Sequence, residues 1–205
     1  MLGSRGLHIR RGHSGDGVAP REAAAEEEAL VERARRDPRA FAPLYVRYAD
    51  PVYRFCYRRL GEPEAAEDAT SQVFLKALAA LPEYRSGSFR AWLFTIARNV
   101  VTDLYRERRT ERLSETAQAP IDPGPTPEEV MLQAESHLGV QALLAALSPE
   151  QREVVELRLA GLNGAEIAQV LGRSHGSVRA LQYRAAQRLR DVLAHGTQRG
   201  GAQCD

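Results

Sequence analysis

Apolar residues recur along this chain at the three-and-four spacing of helices, and strict alternation is almost absent. The pattern predicts a first helix over residues 22–36, stopped at Asp37-Pro38 because the residue before a proline is pushed out of the helical region. A second helix follows from Pro38, with Phe41, Leu44, Tyr45, Tyr48, Val52, Phe55, Cys56 and Leu60 on one stripe. Pro51 within it either kinks the helix or marks a break, and Gly61 ends it. A third helix, residues 63–81, turns Ala66, Ala69, Val73, Leu78 and Leu81 inward. The stretch PEYRSGS, residues 82–88, reads as a loop. A fourth helix starts near Ser88, sets Trp92, Leu93, Ile96, Val100 and Leu104 along one side, and runs out in Arg106, Arg108, Arg109 and Arg112.

The pattern then breaks. Pro120, Pro123, Pro125 and Pro127 exclude helix and buried strand, so residues 113–127 read as an extended, acidic linker. Helix signals resume beyond residue 128. In Ser148-Pro149-Glu150-Gln151 the serine caps, the proline suits the first turn and the glutamine completes a capping box. Asn163-Gly164-Ala165-Glu166 repeats that logic. A short helix over residues 165–171 ends at Gly172, and Ser174 opens a last helix carrying Val178, Leu181, Ala185, Leu189 and Val192. The expected fold class is all-α: two small helical domains, residues 22–112 and 128–195, joined by a flexible linker. Tails over residues 1–21 and 196–205 are expected to be disordered.

Net charge changes this picture little at +1, but its distribution does. Arg173, Arg179, Arg184, Arg188 and Arg190 follow one another with no acid until Asp191, whereas residues 111–135 are dominated by Glu and Asp. Such segregation suggests a polyanion-facing patch at one place and a polyanion-mimicking strand at another; solvated helix faces are the alternative. Two cysteines, Cys56 and Cys204, make neither a disulfide framework nor a zinc spacing, which points to a reducing, cytoplasmic setting. No apolar run suits a membrane span, and no signal peptide is expected. His8, His13, His137, His175 and His195 are scattered, and adjacent Glu67 and Asp68 point to different sides of a helix. No enzyme activity, metal or cofactor is expected.

The segment from Ala165 to Arg184 carries the first positive signal. A short helix, a glycine corner and a basic second helix have the form of a helix-turn-helix, whose second helix enters the major groove. Ile167, Val170, Leu171, Val178 and Leu181 suit the packing between the two helices. Ser174, His175, Ser177, Arg179, Gln182 and Tyr183 then face outward as candidates for base edges and phosphates, with Arg184 and Arg188 suited to the DNA backbone. An ordinary hairpin with a basic exterior is the bland alternative.

The middle of the chain carries a second signal. Tyr84, Trp92, Phe94 and Tyr105 lie among Arg85, Arg90, Arg98 and Arg106, and aromatic rings interleaved with arginines favour unstacked single strands. Trp92 and Phe94 read equally as core.

Taken in order, FAPLYVRYADPVYRFCYRRLGEPEAAEDATSQVFLKALAALPEYRSGSFRAWLFTIARNVVTDLYRERR, a linker, and LSPEQREVVELRLAGLNGAEIAQVLGRSHGSVRALQYRAAQRLR resemble the extracytoplasmic-function sigma factors, the compact two-domain branch of the sigma-70 family. The resemblance spans residues 26–193. It implies a factor that binds core RNA polymerase and directs it to promoters. Glu67, Asp68, Ser71, Gln72, Leu75 and Lys76 match the region 2.2 face that docks on the β′ clamp coiled coil. The family often has Gln-Glu where Ser71-Gln72 stands here, a departure that removes a negative charge. The loop with Tyr84, Arg85, Ser86 and Ser88 matches the segment that captures a flipped base of the −10 element. The next helix, with Arg98, Asn99, Asp103 and Arg106, matches regions 2.3 and 2.4. Region 4, which also meets the β flap, would read the −35 element through the helix-turn-helix. The resemblance further implies an anti-sigma factor, no membrane insertion, and a linker in which Glu115, Asp122, Glu128 and Glu129 occupy a basic channel of the polymerase. A stand-alone helix-turn-helix regulator is the competing reading, and an enzyme acting on nucleic acid a remote third.

Overall fold

Asp37 decides where the first helix gives way to the second. α1 (Val18–Arg36) ends before it, and its carboxylate accepts a hydrogen bond from the Arg39 backbone N–H at 3.0 Å. Pro38 opens a 3-10 turn, Pro38–Phe41, that feeds α2 (Ala42–Leu60), so the α-helix proper starts four residues after the expected point. The computed structural model describes residues 18–114, 140 and 143–200, with side chains for residues 24–107, 140 and 143–194. The linker acids and both outer tails lie outside the described residues.

α2 continues through Pro51, so the expected break is absent. Val52, Phe55 and Cys56 are fully buried directly after it, and that burial outweighs the one backbone hydrogen bond a proline forfeits. Gly61 closes the helix at φ 80°, its N–H donating to the Tyr57 carbonyl. α3 (Pro63–Ala80) follows, then a 3-10 turn, Leu81–Glu83, the loop to Ser88, and α4 (Phe89–Ser114). Beyond the linker come α5 (Pro149–Leu159), α6 (Gly164–Leu171) and α7 (His175–Gly200). No strand occurs among the described residues. α1 begins ahead of the expected start because Arg21, Glu22 and the following alanines are strong helix formers. α7 overruns residue 195 because no stop signal precedes the Gly200-Gly201 pair except the lone Gly196.

The inward faces need three corrections. Tyr45 is half exposed and lies edge-on over Phe74, with ring centroids 4.7 Å apart. Leu78 points out, and Ala77 takes the buried position that the stripe assigned to it. On α4 the buried face is Ala91, Leu93, Phe94, Ala97, Val100 and Val101, while Trp92, Ile96 and Leu104 sit half-buried at its edges. That face is wider than a single stripe because α2, α3 and α6 all pack on α4. Phe55 meets Phe94 edge to face at 5.6 Å in the middle of this layer.

The carboxy-terminal module has its own apolar centre in Val154, Leu157, Leu162, Ile167, Val170, Val178 and Leu181. A smaller cluster of Leu144, Leu147 and Ala185 secures the long helix α7 to the turn before α5. The two modules do not stand apart. Buried residues of both belong to one contiguous set, with α4 against α6 and α2 against α5.

Candidate nucleic-acid interface

Two capping boxes build the carboxy-terminal reading element. Asn163 accepts from the N–H groups of Ala165 and Glu166 at 2.9 and 3.0 Å, and Glu166 Oε2 accepts from Asn163 N–H at 2.7 Å. Ser148 and Gln151 do the same for α5. After α6 the chain turns at Gly172, φ 61°, and the Arg173 N–H reaches back to the Ala168 carbonyl at 3.0 Å. Ser174 Oγ accepts from Ser177 N–H at 3.2 Å and starts α7. Ile167, Val170, Val178 and Leu181 are buried between the two helices, as the sequence pattern required; Leu171 is half-buried.

That packing leaves Ser174, His175, Arg179, Tyr183, Arg184 and Arg188 exposed on α7 and its turn, with Ser177 and Gln182 half-buried. Gln187 donates to the Tyr183 hydroxyl at 2.8 Å, and Arg188 Nε points at the Ala146 carbonyl at 3.4 Å. The His175 ring lies over the start of α6, where a Cβ on Gly164 would come within 2.8 Å of Nε2. Arg173 pairs with Glu150 at 2.5 Å, bracing the corner against α5.

The amino-terminal candidates surround the loop before α4. Tyr84 donates to the Gly87 carbonyl at 2.6 Å and its ring lies 5.2 Å from Trp92 and 5.9 Å from Phe89, which makes a half-buried aromatic floor. Burial first, then Glu27 and Glu28, push the Tyr84 phenol above its ordinary range, so it stays a protonated donor. Beneath it Tyr48 is buried and hydrogen-bonded to Glu27, and its phenol is raised further by burial and that carboxylate. Arg85, Ser86 and Asn99 are exposed. Ser88 caps α4 by accepting from Ala91 N–H at 3.2 Å. Asp103 does not stand alone, since Lys76 and Arg106 each approach it to 4.0 Å.

On α3, Glu67, Asp68, Ser71, Gln72, Leu75 and Lys76 form one fully exposed stripe opposite Ala66, Ala69, Thr70, Val73 and Ala77. Leu75 is 68% exposed, an apolar residue left in solvent in the middle of a polar stripe.

The structure also engages residues that sequence reasoning passed over. Glu156 is fully buried at the seam between modules, with Arg59 at 2.9 Å and Arg152 at 2.7 Å. Glu153 holds Arg98 at 2.7 Å, and Glu166 accepts from Ser88 at 2.6 Å. Arg90 donates to the Gly161 carbonyl at 2.9 Å while its guanidinium lies 5.8 Å above the Tyr48 ring. Arg152 and Glu156 are one helical turn apart, which is visible in the sequence; no local pattern announces their partner Arg59. Among the described residues no cluster of three or more metal-ligating side chains exists, and no helix is long and apolar enough to cross a membrane.

Comparison with known proteins agrees with this geometry. A sigma-70 region 2 family model matches residues 44–111, and a sigma-70 region 4 model matches residues 137–189. The chain is 41% identical over 171 residues to the ECF RNA polymerase sigma factor BldN of Streptomyces coelicolor, covering 80% of this chain and 64% of BldN, so it spans less than two thirds of that relative. It is 36% identical over 178 residues to the ECF RNA polymerase sigma factor ShbA of Streptomyces griseus, covering 79% of this chain and 92% of ShbA. A solved structure of CnrH in complex with the cytosolic domain of CnrY superposes with a TM-score of 0.62 at 30% identity, covering 82% of this chain and 96% of CnrH.

Proposed function

The chain belongs to the extracytoplasmic-function branch of the sigma-70 family, and from that premise we propose that it binds core RNA polymerase and directs it to promoters. In this reading residues 22–112 are region 2, which holds the melted −10 element, and residues 128–195 are region 4, which reads the −35 element. One observation carries it: the same chain presents two reading surfaces of different chemistry. The exposed start of α7 offers hydroxyl, imidazole, amide and guanidinium groups at the width of a major groove. The Tyr84–Trp92 floor beside Arg85 and Asn99 instead suits a base taken out of the stack. A duplex reader alone has no use for the second surface.

The polymerase contact falls to the exposed α3 stripe, where Leu75 supplies apolar area among Glu67, Asp68, Ser71, Gln72 and Lys76. The β′ clamp coiled coil is its partner, and the β flap meets region 4. CnrH was solved with the cytosolic domain of CnrY; a protein inhibitor of that kind, an anti-sigma factor, belongs in the scheme for this chain, and a cytoplasmic location follows from the polymerase partner.

Transcription and gel-shift assays on a random promoter library, with and without purified core enzyme, test the reading. Selective binding and transcripts should appear only with core enzyme. Tight, selective duplex binding by the chain alone would instead identify a stand-alone regulator, and failure to associate with core enzyme would reject the proposal.

A further inference from the structure

We infer that carboxylates of the carboxy-terminal module act as an internal competitor of nucleic acid, seated on donors of the strand-binding face whenever the two modules close on each other. This rests on the reading of that face given above. Two of its eight candidate residues are already engaged across the seam. Arg98 is held by Glu153 at 2.7 Å, and Ser88 donates to Glu166 at 2.6 Å. Both residues belong to the α4 capping turn and its first three turns, roughly 15 Å along the axis at 1.5 Å per residue. The acids therefore cover the face over a length and not at a point.

The chemistry matches what they would displace. A guanidinium accepts a carboxylate or a phosphate in the same geometry, and a serine hydroxyl donates to either oxygen. Neither donor can serve a carboxylate at these distances and a DNA phosphate together. Arg90 adds to the occlusion, because its donation to the Gly161 carbonyl brings the α5–α6 turn over the aromatic layer. Gly87, in the capture loop, comes close enough that a Cβ there would touch Gln169 Nε2 at 3.9 Å.

The acids are not needed for the module that carries them. The hydrogen bond and ion pair given for Glu153 both lead to Arg98. Glu166 uses one oxygen for the α6 capping box and the other for Ser88. A glutamine retains the capping box, so Glu166→Gln removes charge while the helix start survives.

The test uses the isolated full chain. E153Q/E166Q is compared with wild type and with a charge-matched control, D50N/E64Q, whose exposed side chains lie away from the seam. Solution scattering reads the radius of gyration, and fluorescence anisotropy reads affinity for a short fluorescein-labelled single-stranded DNA of random sequence at low salt. Circular dichroism confirms that both variants remain helical. The expected result is a larger radius for E153Q/E166Q and single-strand binding roughly three- to tenfold tighter, as two partly exposed pairs imply, with neither change in the control. An unchanged radius, or a wild type already extended at low salt, overturns the inference while leaving the strand-face reading intact. That reading fails separately if R98A/N99A binds the strand as wild type does. Expansion with unchanged affinity overturns the competition, because the freed donors would then not be a strand site.

Discussion

The corner between α6 and α7 can be tested with two glycines four residues apart whose substitution by alanine should act in opposite directions. Gly172 stands at φ 61°, and no atom lies within 4 Å of where its Cβ would be. A side chain there meets open space, so the whole cost is backbone. Holding an L-residue in the left-handed region costs about 1–2 kcal/mol. Alanine also stiffens the unfolded chain, which offsets about 0.4–1 kcal/mol of that. Gly172→Ala should therefore lose about 0.5–1 kcal/mol, and Gly172→Asn less, because asparagine tolerates the left-handed region. Gly176 also meets open space but lies in the first turn of α7 without a positive φ. There alanine has no strain to relieve and removes backbone freedom from the unfolded chain, so Gly176→Ala should gain about 0.5 kcal/mol. Urea unfolding of the full chain followed by far-UV circular dichroism resolves such differences, and for a chain of 205 residues each kcal/mol moves the thermal midpoint by roughly 2–4 °C. If the two alanine variants shift in the same direction, or asparagine at 172 costs more than alanine, the left-handed corner is not what positions α7.

Phe94→Ala removes a fully buried ring that meets Phe55 edge to face, so unfolding measurements should show a loss of about 3–5 kcal/mol, against near-neutral change for a surface control such as Glu64→Gln. Burial pushes the Cys56 thiol from 9.0 up to about 11, so its stabilising contribution is full below pH 9 and is lost as pH rises between the unfolded and folded values; pH-dependent stability of wild type against Cys56→Ala checks the sign. In the holoenzyme, Arg179→Ala should weaken −35 recognition by about 1–3 kcal/mol and relax preference at one base pair. Arg184→Ala should weaken all sequences alike and reduce the salt slope by about one. Equal effects of the two substitutions on every duplex, measured by competition binding, would assign Arg179 to the phosphates.

Local grammar was legible wherever one residue governs its own neighbourhood. Ser148 with Gln151, Asn163 with Glu166, the Gly172 corner and the Ser174 start all act over three or four residues, and each stands as the pattern required. The exposed α3 stripe was equally readable, since its buried counterpart alternates with it at helical spacing. What escaped was set by a third element. Leu78 and Ala77 exchange roles, and the α4 face widens to include Ala91 and Phe94, because α4 is packed by α2, α3 and α6 together. A single-helix stripe carries no record of how many neighbours a helix will have. Glu156 escaped for a related reason: its partner Arg59 is 97 residues away. In sequence a buried glutamate looks the same as the solvated ones around it.

The composition of the seam bears on whether it can open. Arg98 keeps 36% of its side chain in solvent, Arg152 33%, Glu153 20% and Arg59 19%; only Glu156 is dry. Pairs with that much solvent contact contribute about 0–1 kcal/mol each, and separation rehydrates them without stranding a charge. Glu156 behaves differently while the modules stay together, because removing its partners would leave an uncompensated buried carboxylate. Opening solvates it and ends that penalty. The cost of breaking the Glu156 pair is therefore bounded by the free energy of docking, since beyond that point the modules separate. An all-apolar seam of the same extent would behave otherwise, exposing on separation surface that associates with itself. Arginines that can exchange a carboxylate for a phosphate keep a partner in both states, so the difference between closed and engaged chain stays within the few kcal/mol that a polymerase surface or a promoter strand can supply.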